Sequence, residues 1–229
     1  MKYIIAMMLP IGGLFWTVAY LLIFLKGMKD KSYGMPLVPM AFNFTWELIH
    51  SFIYPSSHNI SLYFNISWFL IDLGIVYTYF KYSYNSFNNF YSIKKLHWLG
   101  LSIFTFFIAF MLNYYGELFF SDLQNEITKE LLYAEVLVGF IVFLLIPTCM
   151  IVRLFQQKDS IGQSFIIAFC LTISIIFYTL EISFNPFHHQ WGNPFMMLLM
   201  ASCVIFQPYY TILIYNKLIQ EGSNPWKII

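Results

Sequence analysis

Seven long apolar stretches run the length of the chain, near residues 4–25, 36–54, 62–81, 96–119, 131–152, 161–182 and 194–217, separated by short polar intervals. A bilayer core of about 30 Å needs roughly 20 apolar residues of helix to cross it. Each stretch comes close to that length. Lipid offers backbone groups no partner, so each is expected to be helical. The breaks carry turn-forming residues: Gly27, Gly34-Met35-Pro36, Pro55-Ser56-Ser57, the Asn-rich run 85–89 and Asn185-Pro186. Pro10, Pro39, Pro147 and Pro208 fall inside spans, where proline removes a backbone hydrogen bond and can kink the helix. The first stretch is too long for a signal-peptide apolar region and no small-residue cleavage site follows it, so it reads as the first span. The pattern predicts an all-α polytopic membrane protein, a single seven-transmembrane-helix bundle over residues 1–229 with no evident internal repeat.

Charge then orients the bundle. Lys26, Lys29, Lys31, Lys81, Lys94, Lys95, Arg153, Lys158, Lys217 and Lys227 fall on one side, and only Lys2 and Lys129 on the other, beside Asp122, Glu126 and Glu130. Basic residues stay cytosolic, which predicts the N-terminus outside and the C-terminus in the cytosol. Composition agrees with a lipid-covered protein. Of 229 residues 59% are hydrophobic and 10% charged, against about 25% charged in soluble domains. A net charge near +1 gives no case for nucleic acid as a partner. Cys149, Cys170 and Cys203 lie in apolar segments without C-x-x-C spacing, so neither a zinc site nor a disulfide framework is indicated.

Ionisable groups inside a span are costly and mark functional candidates. The densest cluster is Asn43-Phe44-Thr45-Trp46-Glu47-Leu48-Ile49-His50 in the second span. Asn43, Trp46, Glu47 and His50 share one helical face, and Glu47 sits near mid-membrane, where loss of water favours the protonated acid. Trp68 and Asp72 share a face of the third span, with Asp72 at comparable depth. Spans two and three are joined by a short loop, which makes them antiparallel neighbours. Glu47 and Asp72 can therefore face one another, and two close acids tend to share one proton. The structural alternative for each is a carboxyl held by a neighbouring helix for packing.

A third layer lies nearer the outer face. Asn113, Tyr114 and Glu117 end span four, Glu135 begins span five, and Tyr178 and Glu181 share a face at the end of span six. Span seven brings Gln207 to mid-depth, followed by Tyr209 and Tyr210. The glutamates near water could equally be interfacial anchors, and Gln207 a bridge between helices. His188 and His189 are adjacent and point apart, whereas metal ligation needs spacing such as i, i+4. His97, among basic residues, reads as a boundary anchor. No span has a central lysine for a retinal Schiff base, and there is no D-D-x-x-D pattern for magnesium and diphosphate. G-x-S-x-G and H-E-x-x-H are missing too, and no arginine lies mid-membrane to grip an anion.

What remains is a buried acid pair among many aromatic rings, 21% of the chain. That inventory suits an acid that protonates an alkene or epoxide, with the cation then stabilised by aromatic faces in a dry cavity. At Asn43-x-x-Trp46-Glu47 and Trp68-x-x-x-Asp72, and in its length and span count, the chain resembles the small membrane-bound terpene cyclases of fungal meroterpenoid and indole-diterpene pathways. The resemblance implies metal- and cofactor-free cyclisation of a polyprenyl substrate delivered from membrane lipid. By that resemblance Glu47 is the acid that starts the cation or supports it. With the reading of the residues above, Glu47 and Asp72 are the catalytic candidates, and Asn43, Trp46, His50, Trp68, Tyr178, Glu181 and Gln207 the candidates around the substrate. The family commonly carries a second essential aspartate in its last span. None stands there in this chain; Gln207 occupies a similar depth, so Asp72 or Glu181 takes the role or the chemistry differs. The Ile, Asn, Lys and Phe bias points to an AT-rich, bacterial source, which would place the protein in the cell membrane. On that reading the sequons Asn59-Ile60-Ser61 and Asn65-Ile66-Ser67 are accidental. Two other classes compete. A small proton-coupled carrier would show pseudo-repeats and a path to both faces. A receptor, chaperone or assembly factor would lack a cavity around Glu47.

Overall fold

The computed structural model describes residues 2–55, 59–127, 132–157, 159–184 and 194–228. His188, His189, the Asn185-Pro186 break, Lys129, Glu130 and Lys158 lie outside the described residues, as do the side chains of Lys2, Glu117, Asp122 and Glu126. Among the described residues seven α-helices follow one another: α1 Lys2–Asp30, α2 Leu37–Leu48, α3 Asn59–Tyr91, α4 Lys95–Ile127, α5 Leu132–Gln157, α6 Phe165–Phe184 and α7 Pro194–Gln220. Six of them contain segments long and apolar enough to cross a membrane: Met7–Asp30, Asn59–Asn88, Lys95–Gly116, Glu135–Gln157, Phe165–Phe184 and Pro194–Gln220. The second differs. Its twelve α-helical residues run on into a five-residue π-helical turn, Ile49–Ile53.

Two expected breaks move. α1 continues through Gly27 to Asp30, and the chain turns at Lys31, whose φ is 50°. α3 continues through the Asn-rich run to Tyr91 and breaks at Ser92, again with φ 50°. An apolar count measures the part of a helix that lipid covers, whereas a helix can project into water as long as its backbone bonds hold. Pro39 falls in the first turn of α2, where the missing N–H has no intrahelical partner to lose.

Packing closes a ring, with α1 against α3, α3 against α2, α2 against α5, α5 against α7, α7 against α6 and α6 back against α1. α4 backs this ring from outside, against α2 and α5. Large apolar side chains face outward, among them Leu14, Leu21, Leu70, Phe104, Phe107, Ile205 and Ile212. Polar ones turn in, including Asn43, Glu47, Asn65, Asp72, Asn113, Ser174 and Gln207. In lipid no hydrophobic drive draws helices together, so close approach and interhelical hydrogen bonds carry the association. Ser174 Oγ donates to the Gly12 carbonyl at 2.8 Å and joins α6 to α1. Gly12 permits that approach, since a Cβ there would lie 3.3 Å from the Ser174 oxygen. Asn113 Nδ2 donates to the Phe42 carbonyl and to Thr45 Oγ1, both at 2.8 Å, and joins α4 to α2. Cys203 Sγ donates to the Phe140 carbonyl at 3.3 Å, between α7 and α5.

The lysine-rich end of the bundle is clasped by one buried guanidinium. Arg153 donates to the Tyr33 carbonyl at 2.6 Å, Ser32 Oγ at 3.0 Å, the Ile161 carbonyl at 3.0 Å and Gln157 Oε1 at 2.8 Å. It also lies 4.0 Å over the Tyr33 ring. It thereby ties the α1–α2 turn to the α5–α6 turn. Gly162, at φ 74°, is required there because a Cβ would sit 2.6 Å from the guanidinium. Arg153→Met leaves two backbone carbonyls, a hydroxyl and the Gln157 amide oxygen without their donor. It should lower the unfolding free energy of the detergent-solubilised protein by about 2–4 kcal/mol. An unchanged thermal midpoint would contradict the clasp.

Candidate active site

On α2, Asn43 and Glu47 are one turn apart and both are directed at α3; they are 3% and 1% exposed. Asp72, completely buried, meets them from α3. The Asn43 amide nitrogen donates to Glu47 Oε1 at 2.9 Å and to Asp72 Oδ2 at 2.7 Å. Each of its two hydrogens thus serves a different carboxyl. The remaining oxygens, Glu47 Oε2 and Asp72 Oδ1, are buried with no hydrogen-bond partner. Two carboxyls bridged by one amide in a dry interior would repel strongly if both were ionised. α1 completes the pair's surroundings with Tyr20, fully buried and within electrostatic reach of both acids; its hydroxyl makes no well-formed hydrogen bond.

Glu47 and Asn43 also line a cavity of about 210 Å³. Its other walls are Leu9 and Trp16 from α1, Trp46 from α2, and Ser61, Phe64, Asn65 and Trp68 from α3. α5 adds Glu135, Val136, Gly139, Phe140, Val142 and Phe143, and α6 adds Tyr178, Glu181 and Ile182. These positions fall at the start of α3 and α5 and the end of α6, so the cavity occupies the end of the bundle opposite the Arg153 clasp. Its aromatic rings touch in sequence. Phe64 stacks on Trp68 at 5.3 Å, Trp68 meets Trp16 edge-on at 6.4 Å, Trp16 meets Phe143 at 4.7 Å, and Phe143 meets Tyr178 at 5.6 Å. Gly13 makes room for Phe64, whose ring lies 2.7 Å from where a Cβ would stand. The indoles are pinned by their N–H groups. Trp68 donates to Thr17 Oγ1 at 2.9 Å, and Trp46 to the Glu135 carbonyl at 3.2 Å.

Asn43, Trp46, Glu47, Trp68, Tyr178 and Glu181 therefore converge on one cavity, with Asp72 behind Asn43 rather than in the wall. His50 and Gln207 are placed elsewhere. His50 lies in the π-helical turn, buried with its ring packed on Trp46 at 4.6 Å, and is not part of the cavity wall. Gln207 is enclosed between α7 and α6, where its amide donates to the Ala168 carbonyl at 3.2 Å. Among the described residues α7 contributes nothing to the cavity wall. Three residues in or beside the site carried little sequence signal. Tyr20 sits in an unbroken apolar run, Glu135 reads as an interfacial residue, and Asn65 reads only as part of a sequon, although it is 2% exposed inside α3. No group of three or more His, Cys, Asp or Glu able to hold a metal ion occurs among the described residues.

A family model described as Pyr4-like transmembrane terpene cyclases matches residues 1–219. The Pyr4-family terpene cyclase mfmH of Annulohypoxylon moriforme is 30% identical over 188 residues, 80% of this chain and 72% of that protein. The terpene cyclase pyr4 of Aspergillus fumigatus is 36% identical over 73 residues, 32% of this chain and 30% of that protein. The terpene cyclase ascF of Acremonium egyptiacum is 41% identical over 71 residues, 31% of this chain and 26% of that protein. The chain thus spans under a third of the length of the latter two. These relatives are fungal and lend nothing to a bacterial source. No solved structure gives a significant match.

The shared donor makes a thermodynamic prediction. Asn43→Ala and Asp72→Asn should each lower stability by about 1–3 kcal/mol. The double variant should fall short of their sum by at least about 0.5 kcal/mol, measured by unfolding in detergent. Strict additivity would mean that the amide does not bridge the acids.

Proposed function

The chain belongs to the Pyr4-like transmembrane terpene cyclases, and from that premise we propose a metal-independent cyclase in which Glu47 starts the reaction by protonating a polyprenyl alkene or epoxide. The observation that carries this reading is the Asn43 bridge, which holds two buried carboxyls beside a cavity walled by aromatic rings. The Glu47 O–H bond breaks as the substrate gains a C–H bond, or as an epoxide oxygen gains the proton and its C–O bond opens. Either route leaves a carbocation on the chain and a carboxylate in the protein. Once the shared proton is spent, both carboxylates keep a donor, since Asn43 gives one hydrogen to Glu47 Oε1 and the other to Asp72 Oδ2. Ring closure then consumes double bonds in turn. Loss of a proton from the final cation, to Glu47 or to Glu181 farther up the wall, restores neutrality and makes the reaction an isomerisation. Trp16, Trp46 and Trp68 offer faces to the migrating charge, each contact contributing roughly 0.5–2 kcal/mol. The pinned N–H groups of Trp46 and Trp68 fix their faces, and the dry wall delays capture of the cation by water.

The same reading makes α2 a seventh crossing. With its π-helical turn it runs from Leu37 to Ile53, about 25 Å at 1.5 Å per residue, at the short end of what a bilayer admits. The N-terminus then lies outside, and the cavity occupies the outer half of the bundle while the lysines and the Arg153 clasp face the cytosol. Substrate enters laterally from lipid.

Glu47→Gln keeps the size and the bond from Asn43 but removes the acid. In membranes supplied with epoxidised polyprenyl chains it should lower product formation by about 10²–10⁴-fold, while Asp72→Asn lowers it less. Product formation unchanged in Glu47→Gln would remove Glu47 from the mechanism.

A further inference from the structure

Ser61, Asn65, Trp68 and Asp72 are spaced four, three and four residues apart on α3, so they form one stripe. The stripe runs from the outer end of the cavity down to the acid pair. Asn65 stands out within it. Its side chain lines the cavity and is 2% exposed, yet its amide nitrogen has no hydrogen-bond partner. A buried amide left unpaired is costly, and nothing in the helix packing requires one here. Apolar rings surround it on the same wall. A polar side chain retained at that place has a use that the protein alone does not satisfy.

The charge of the wall narrows what that use is. Three carboxyl residues line the cavity, Glu47, Glu135 and Glu181, and no lysine, arginine or histidine does among the described residues. A diphosphate or carboxylate would meet like charge with no cation to offset it. A neutral oxygen would meet an amide donor. We infer that Asn65 is a positioning residue that holds a neutral oxygen function at the end of the prenyl chain remote from the protonated bond. The inference rests on the cyclase reading. Asn65 lies about 10 Å from Asp72 along the helix axis at 1.5 Å per residue. That fixed separation sets which carbon of a tethered chain reaches the acid pair, so Asn65 governs the site of protonation rather than its rate. Ser61, one turn nearer the outer end, extends the same polar edge.

The test uses the full-length protein in detergent and three probes that share one prenyl chain and differ in the head: the alcohol, the parent hydrocarbon and the diphosphate. Dissociation constants come from ligand-dependent shifts in the thermal midpoint. The alcohol should bind about tenfold more tightly than the hydrocarbon, as one hydrogen bond to a buried donor provides, and the diphosphate should bind no better than the hydrocarbon. Asn65→Leu should bring alcohol and hydrocarbon to near parity, with Asn65→Gln retaining part of the preference. If Asn65→Leu shows no cooperative melt, Asn65→Ala is read in its place. The same preference in wild type and variant overturns the inference, as does a wild type without preference; either means the amide is met by cavity water. Tighter binding of the diphosphate overturns it as well. The two readings separate cleanly. A preference lost in Asn65→Leu but no cyclised product from an epoxidised probe would retain the anchor and reject the cyclase, and product without preference would do the reverse.

Discussion

One amide nitrogen serving two carboxyls is the interaction on which the site depends. Asn43 spends both hydrogens across the α2–α3 contact, one on Glu47 and one on Asp72. Without it two buried acids would face each other with no donor between them. With it each acid has one donor, and two oxygens are still left unmet. The short α2 helix is positioned by the same need. It is gripped by α3 through Asn43, by α4 through Asn113 and by α5 through Trp46, so its acid is presented at a fixed depth.

The rest of the bundle can be understood as support for that contact. The ring of helices is stapled pairwise by small polar groups, and its outward surface is left apolar for lipid. The Arg153 clasp closes the lysine-rich end, while the opposite end holds the cavity. This polarity gives the protein one closed end and one end with a cavity. Such an arrangement matches an enzyme fed from the lipid phase better than a carrier that must reach both faces. The terpene cyclase family to which the chain belongs weighs the same way.

Much of this was legible in the sequence because helical periodicity is a local property. The i, i+4 spacing of Asn43 and Glu47 and of Trp68 and Asp72 put each pair on one face, and antiparallel adjacency brought the faces together. What was not legible depends on neighbours or on local departures from ideal helix. His50 keeps the contact with Trp46 that its spacing implies, but it lies outside the cavity wall, which spacing alone does not reveal. Gln207 has a suitable depth, but depth says nothing of direction, and α7 turns it toward α6. The aspartate missing from the last span accords with an α7 that adds nothing to the cavity wall among the described residues. Tyr20 could not be singled out from an apolar run, and the orphaned amide of Asn65 exists only in three dimensions. The α3 boundary moved because hydropathy reports lipid coverage and not where a helix stops.

The central claim is a proton held between Glu47 and Asp72 beneath the cavity. Infrared spectroscopy of the protein in membranes at neutral pH tests it most directly through the carbonyl stretch of a protonated carboxylic acid. The account predicts a buried acid band that shifts on exchange into heavy water, is lost or displaced in Glu47→Gln, and moves in Asp72→Asn and Asn43→Ala. A spectrum with both groups ionised, or an acid band indifferent to all three substitutions, would contradict it.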